Sequence, residues 1–220
     1  ALRLRAKASP PRPTQGQLSG LHAAADPLEL KSGVALVMDQ DTSEVLFAKN
    51  SQAVLPIASI TKLMTALVVT EAAQPLHEVL TINGEDVDTE KGSRSRLRVG
   101  TQLTREEMLH LALMASENRA ANALGRHFPG GLAAFVAAMN RRAQALGMHQ
   151  TRYVEPTGLS SLNQSNASDL ALLVREADKH DLIRRLSTSP EAEMAVGAKR
   201  PLQFSNTNTL VRGGEWVIGL

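Results

Sequence analysis

Ile57, Ile60, Leu63, Met64, Leu67 and Val68 recur at spacings of three and four, and a single charged residue, Lys62, sits inside that stripe. This period gathers apolar side chains on one helical face and predicts a buried helix from near Ser59 to near Glu71, with Pro56 just ahead of it. A helix of that kind needs other elements to cover it. With 43% hydrophobic residues in 220, the chain has enough apolar side chains for a real core.

The flanking pattern supplies the cover. Residues 33–39 and 44–48 are aliphatic runs joined by Gln40-Asp41-Thr42-Ser43, which predicts a β-hairpin. Thr104 and Glu107 form a T-x-x-E capping box opening a helix that runs up to Ser116. Alanine-rich segments at 119–128 and 131–146 read as two further helices, the second stopped by Gly147. A loop over 149–166 precedes a helix at 168–179, with Asp169 near its positive end. Residues 191–196 and 216–220 read as strands, the latter opened by Gly213-Gly214. Strands, then a run of helices, then strands is an α+β order, with a helical cluster packed on an antiparallel sheet. The expected organisation is a basic, proline-containing, disordered leader at 1–27, carrying Arg3, Arg5, Lys7 and Arg12, followed by one domain at 28–220.

Composition removes several chemistries. The absence of cysteine excludes disulfides, thiolate metal sites and cysteine nucleophiles. A net charge of +2 with one Trp, one Tyr and four Phe argues against a nucleic-acid partner. His22, His77, His110, His127, His149 and His180 lack ligand spacing, so no metal is expected. Gly130-Gly131 and Gly213-Gly214 lie outside any P-loop or dinucleotide frame, so no cofactor is expected either. The longest strongly apolar run, 63–69, falls far short of the roughly 20 residues that span a bilayer, and no transmembrane segment is expected. A chain starting at Ala1 fits a processed form, with a signal peptide removed, or a trimmed one.

Ser59-Ile60-Thr61-Lys62 sets a hydroxyl and an amine three residues apart, within reach on one helical face. A serine needs a proton acceptor to become a nucleophile, and a lysine desolvated between apolar walls can serve once its pKa falls toward neutrality. Sixteen serines and seven lysines give about 0.5 chance matches to S-x-x-K, so the spacing alone also fits a capping serine with a surface lysine one turn on. Ser116-Glu117-Asn118 brings a second hydroxyl and an amide, although Ser161-Leu162-Asn163 matches the same S-x-N pattern and a capping role is open for both.

Three ordered segments carry a resemblance: Leu55-Pro56-Ile57-Ala58-Ser59-Ile60-Thr61-Lys62-Leu63-Met64-Thr65, Ser116-Glu117-Asn118-Arg119-Ala120-Ala121-Asn122, and Glu155-Pro156-Thr157-Gly158-Leu159. Together, from about Leu30 to Leu220, they resemble the low-molecular-weight penicillin-binding proteins, closest to the penicillin-binding protein 7 type of D-alanyl-D-alanine endopeptidases. The resemblance implies a β-lactamase/transpeptidase-like fold and a periplasmic serine peptidase. Its partners would be peptidoglycan peptide stems and β-lactam antibiotics. In the implied mechanism Ser59 is acylated, Lys62 is its base, Ser116 relays a proton to the leaving amine and Asn118 orients substrate.

One departure accompanies it. The family carries a K-T-G triplet on a strand beside the nucleophile, no K-T-G occurs here, and residues 216–220 look like the strand leading into it. The expectation is a longer native protein whose C-terminal sheet strands lie beyond Leu220. Glu155 resembles the deacylating glutamate loop of class A β-lactamases, but those enzymes want E-x-x-L-N, and a structural loop carboxylate is the alternative. The rival functions are a β-lactamase or esterase on the same fold and a non-catalytic cell-wall binding fragment.

Overall fold

A computed structural model of the chain describes residues 13–197 and 201–212. The leader residues 1–12 and the strand expected at 216–220 lie outside the described residues. In chain order the elements begin with α1 (Gln15–Leu18), β1 (Ala35–Met38), β2 (Val45–Lys49), β3 (Leu55–Pro56) and α2 (Thr61–Glu71). They continue with β4 (Val79–Thr81), β5 (Gln102–Thr104), α3 (Arg105–Met114), α4 (Asn118–Arg126) and α5 (Gly131–Ala145). The remainder are β6 (Gln164–Ser165), α6 (Ala167–Ala177), α7 (Asp181–Ser187), β7 (Glu191–Met194), β8 (Leu202–Ser205) and α8 (Thr209–Arg212).

The predicted buried helix is the hub. Every residue from Thr61 to Val69 is buried, and α2 is packed by α3, α4, α5, α6 and α7. Because α2 is buried on every side over 61–69 it must be surrounded, and five helices converge on it. The predicted capping box is present, with Thr104 and Glu107 exchanging bonds at the start of α3. Met64, Leu67, Met108, Leu111, Leu124 and Phe135 are among the fully buried side chains that fill the interior.

The α+β order holds, with the strand pairing distributed. Among the described residues the strands form four two-stranded antiparallel pairs: β1 with β2, β3 with β6, β4 with β5, and β7 with β8. The smallest pair has the largest consequence for the site. Leu55 and Pro56 lie opposite Ser165 and Gln164, which ties the segment before Ser59 to the segment after the 155–163 loop. The bond from Ile57 N to Asn163 O, 3.1 Å, extends the tie to the threshold of α2.

Residues 13–27, the described part of the expected leader, carry local bonds of their own. Thr14 and Gln17 form a capping box at α1, and Asp26 accepts from the N–H groups of Leu28 and Leu30 while pairing with Lys49 Nζ at 2.7 Å. This long-range ion pair, absent from any local pattern, anchors residues 26–30 to β2. It also holds the Asp26 carboxyl below the usual carboxylate range.

Candidate active site

Ser59 lies in a single 3-10 turn, Ala58–Ile60, that runs directly into α2. The N-cap position of α2 is Ile60 and carries no side-chain cap bond, so the Ser59 hydroxyl is not spent on capping. Lys62, one turn on, is 2% exposed, which removes the surface-lysine alternative. Its Nζ lies 3.0 Å from Ser59 Oγ and donates to Thr157 O at 2.7 Å. From the turn between α3 and α4, Ser116 Oγ donates to Ser59 Oγ at 2.8 Å. Residues far apart in sequence therefore form one chain, Ser116 to Ser59 to Lys62, with Ser59 in the middle.

The backbone around this chain is bent. Ala58 and Ser116 both have positive φ, 45° and 55°, a region that costs a non-glycine residue on the order of 1 to 3 kcal/mol and persists only where the surroundings impose it. The imposing contact at Ala58 is visible: Gly158 approaches so closely that a Cβ there would lie 1.8 Å from Ala58 O. Gly158 itself has a φ of +85°, so glycine is required on both counts.

Burial governs the electrostatics. Desolvation pushes the Lys62 amine down to about 8, while the negative charges of Glu155 and Glu117 oppose the shift without cancelling it. An amine in that range is partly neutral near physiological pH, with a lone pair able to take the proton of a hydroxyl 3.0 Å away.

Asn118 is placed differently. It opens α4, and its side-chain amide donates to Ser93 Oγ at 3.1 Å rather than to the three-member chain. Ser93 is held by Asp88, whose carboxylate accepts the N–H groups of Glu90, Lys91 and Ser93 and so titrates well below its ordinary value. A cavity of about 170 Å³ lies between these loops, lined by Asp88, Asn118, Asn122, Glu155, Thr157 and Leu159 among others.

Sequence reasoning missed Thr157, Asn163, Thr61 and Thr65. Asn163 Nδ2 donates to Thr61 Oγ1 at 3.1 Å, and Thr65 Oγ1 donates to Pro156 O at 2.7 Å, so the 155–163 loop is bonded to α2 on either side of Lys62. The available signal was that Thr61, Lys62 and Thr65 interrupt the otherwise apolar run at 60–69. Ser161, in the competing S-x-N match, lies outside the site, and its Asn163 is a fully buried structural amide. One cluster has metal-ligand atoms within 4.8 Å of one another, namely Glu71, Glu176 and His180. Arg142 Nη2 already bridges its two carboxylates at 2.6 and 2.7 Å, which supplies the positive charge an ion would bring.

Comparison with known proteins identifies the family. The D-alanyl-D-alanine endopeptidase of Pseudomonas aeruginosa is 51% identical over 195 residues, covering 87% of this chain and 62% of that protein. The protein of the same name from Escherichia coli is 45% identical over 194 residues, with the same coverage of 87% and 62%. This chain thus spans 62% of the length of either relative. Among solved structures, the Streptomyces K15 DD-transpeptidase superposes with a TM-score of 0.76 at 25% identity, covering 84% of this chain and 77% of that one. A penicillin-binding protein homologue from Mycobacterium tuberculosis gives 0.76 at 26% identity, covering 84% and 70%. No helix among the described residues is long and apolar enough to cross a membrane. The profile that matches residues 21–220, described as D-alanyl-D-alanine carboxypeptidase, covers both the helical body and the loop docked on it, and the chain belongs to that family of peptidases, S11.

Proposed function

We propose that this chain carries the acylating centre of a serine D-alanyl-D-alanine peptidase acting on the peptide cross-links of peptidoglycan in the periplasm, and acylated by penicillins at the same serine. The observation that carries this reading is the Ser59 hydroxyl standing between an amine with a depressed pKa and a second hydroxyl. Neutral Lys62 takes the proton of Ser59 as its Oγ bonds to the carbonyl carbon of the D-alanyl residue. The oxyanion that develops is met by the Ser59 N–H at the head of the helical turn. Ser116 then passes the proton from Lys62 to the leaving amine as the C–N bond breaks, and water later hydrolyses the ester. Asn118, across the cavity, supplies the amide that orients the substrate backbone. Endopeptidase rather than carboxypeptidase action is supported by the names of the two relatives at 51% and 45% identity.

A β-lactamase needs a carboxylate free to activate water on the ester. Both Glu155 oxygens here already accept from loop donors, which favours a long-lived penicillin adduct. Intact-mass measurement after exposure to benzylpenicillin tests the reading. The expected result is a stable adduct on Ser59 that vanishes in Ser59→Ala while the melting temperature stays within a degree or two. An adduct on another residue, or none, overturns it.

A further inference from the structure

Glu155 is an acidic residue beside Lys62 that the proposed mechanism leaves unused, and its surroundings are unusual. Its Oε2 accepts from Thr157 N at 2.6 Å and Thr157 Oγ1 at 2.5 Å. Its Oε1 accepts from Gly158 N at 2.7 Å, Ser160 N at 3.3 Å and Asn163 Nδ2 at 2.8 Å. Five donors, all from the eight residues that follow it, converge on one carboxylate. Segment 156–163 has no helix or strand to satisfy its amides, so the Glu155 side chain does for the loop what ladder bonds do for a strand.

What the loop delivers is a carbonyl. Thr157 O, near the start of the wrapped segment, accepts from Lys62 Nζ at 2.7 Å. A neutral lysine amine has two N–H bonds and one lone pair on a flexible four-carbon stem. It can accept a proton from Ser59 only when an N–H is held elsewhere and the lone pair is thereby turned toward Oγ. Thr157 O provides that hold.

Resting on the reading of Lys62 as the base of Ser59, we infer that Glu155 is a positioning residue: it folds the 156–163 loop around its carboxylate so that the Thr157 carbonyl aligns the Lys62 amine against the nucleophile. The loop's other attachments, Asn163 to Thr61 and Thr65 to Pro156, hold the assembly on α2. Its charge has a second effect. The charged groups acting on Lys62 are Glu155 from this loop and Glu117 from the α3–α4 turn, and both raise the lysine pKa against burial. Removing the Glu155 charge therefore lowers it.

The test measures the rate of fluorescent penicillin labelling against pH for the native protein and three variants, with thermal melts in parallel. Labelling of the native protein at Ser59 is required first, and its absence would sink the acyl-transfer reading itself rather than this inference. Glu155→Gln keeps size but loses charge and half the accepting capacity. Its plateau rate is expected to fall roughly 10- to 100-fold, the scale of a catalytic group displaced by about an ångström. Its midpoint is expected below the native value, which lies near 8. Glu155→Asp should restore the midpoint and part of the plateau. A midpoint left in place means that Glu155 does not act on the Lys62 amine and overturns the inference, as does an unchanged plateau. So does native acylation by Glu155→Gln followed by an adduct that no longer hydrolyses, because that assigns Glu155 to the deacylating water. Should Glu155→Gln melt below the assay temperature, Thr157→Val removes one carboxylate bond without touching charge. The expectation is then a plateau several-fold lower at an unchanged midpoint, and a native plateau overturns the inference.

Discussion

Two lysines are buried almost equally, and the molecule treats them in opposite ways. Lys49 at the end of β2 is 4% exposed, and Lys62 in α2 is 2% exposed. Lys49 has a carboxylate, Asp26, at 2.7 Å and the Leu30 carbonyl at 3.1 Å. Lys62 has no ion pair among the described residues, only a carbonyl and a serine hydroxyl. Burial with a counter-ion makes a fastener, which ties the segment at 26–30 to the hairpin. Burial without one makes a base, because the unpaid desolvation lowers the amine's pKa. The surroundings follow the same division. α2 is enclosed by helices, whereas the hairpin exposes Val37, Val45 and Leu46 and borders a groove of about 810 Å³ against α6.

The most direct way to break this comparison is to keep the charge of Lys62 permanently. Lys62→Arg should lower acylation by about 10²- to 10⁴-fold, the usual contribution of a general base, since guanidinium stays protonated at every accessible pH. In the native protein the rate should climb with pH and level off above about 8, where the amine has lost its proton. A flat pH profile, or an arginine variant that labels normally, would mean that the lowered pKa has no chemical use. Packing gives the next test. Leu67→Ala, in the fully buried stretch of α2, should cost about 2 to 5 kcal/mol in denaturant unfolding, while Val37→Ala, on a half-exposed strand, should cost under about 1 kcal/mol. Equal costs would erase the distinction between the enclosed helix and the open hairpin.

Gly158→Ala probes how the loop and α2 hold each other. A methyl group 1.8 Å from Ala58 O must push the loop away from the nucleophile turn, taking Thr157 O from Lys62. A labelling rate at least about 100-fold lower is expected, as for a misplaced catalytic group. Gly131→Ala has a comparable φ of +75° but open space around it, so it should cost only the backbone strain, on the order of 1 kcal/mol, and leave labelling alone. If the two variants behave alike, contact at Ala58 is not what shapes the site.

Sequence carried the parts of this picture that are local. The apolar period around Lys62, the Thr104–Glu107 box and the hairpin each depend on residues a few positions apart, and each formed where expected. α7 escaped notice because Leu182, Ile183 and Leu186 offer barely two turns of period, and β8 because Leu202 and Phe204 make too short an alternation. The two-residue strands β3 and β6 have no period at all, yet they bring the 155–163 loop to Ser59. Glu155 was visible as a residue, but its five donors became countable only once the loop was closed. The partner of Lys62 is a backbone carbonyl 95 positions away, and a carbonyl has no sequence signature. The fastening of Lys49 to Asp26 was hidden likewise, which is why the region around Asp26 read as disordered.

The subtlest prediction puts both lysines in one experiment, where replacing each by methionine should change stability with opposite signs. Lys49→Met strands Asp26, whose depressed pKa contributes stability above its ordinary value that is lost as pH falls through the folded value, so the melting temperature at pH 7 should drop. Lys62→Met removes a cost instead. With a pKa of 10.5 when unfolded and about 8 when folded, native Lys62 disfavours folding by about 3 kcal/mol wherever both states are protonated, that is, below about pH 8. Against this, the Thr157 carbonyl loses its donor, at about 1 to 2 kcal/mol. The net gain at pH 7 should be about 1 to 2 kcal/mol, in a protein no longer able to acylate. As pH rises from 8 toward 10.5 the native penalty disappears, because the unfolded lysine too becomes neutral, and the variant's advantage should shrink and then reverse. Urea unfolding of the three proteins at pH 7 and pH 10 reads both signs. A Lys62→Met variant less stable than native at pH 7 would show that the buried amine is a fastener after all, and that the two lysines differ only in where they sit.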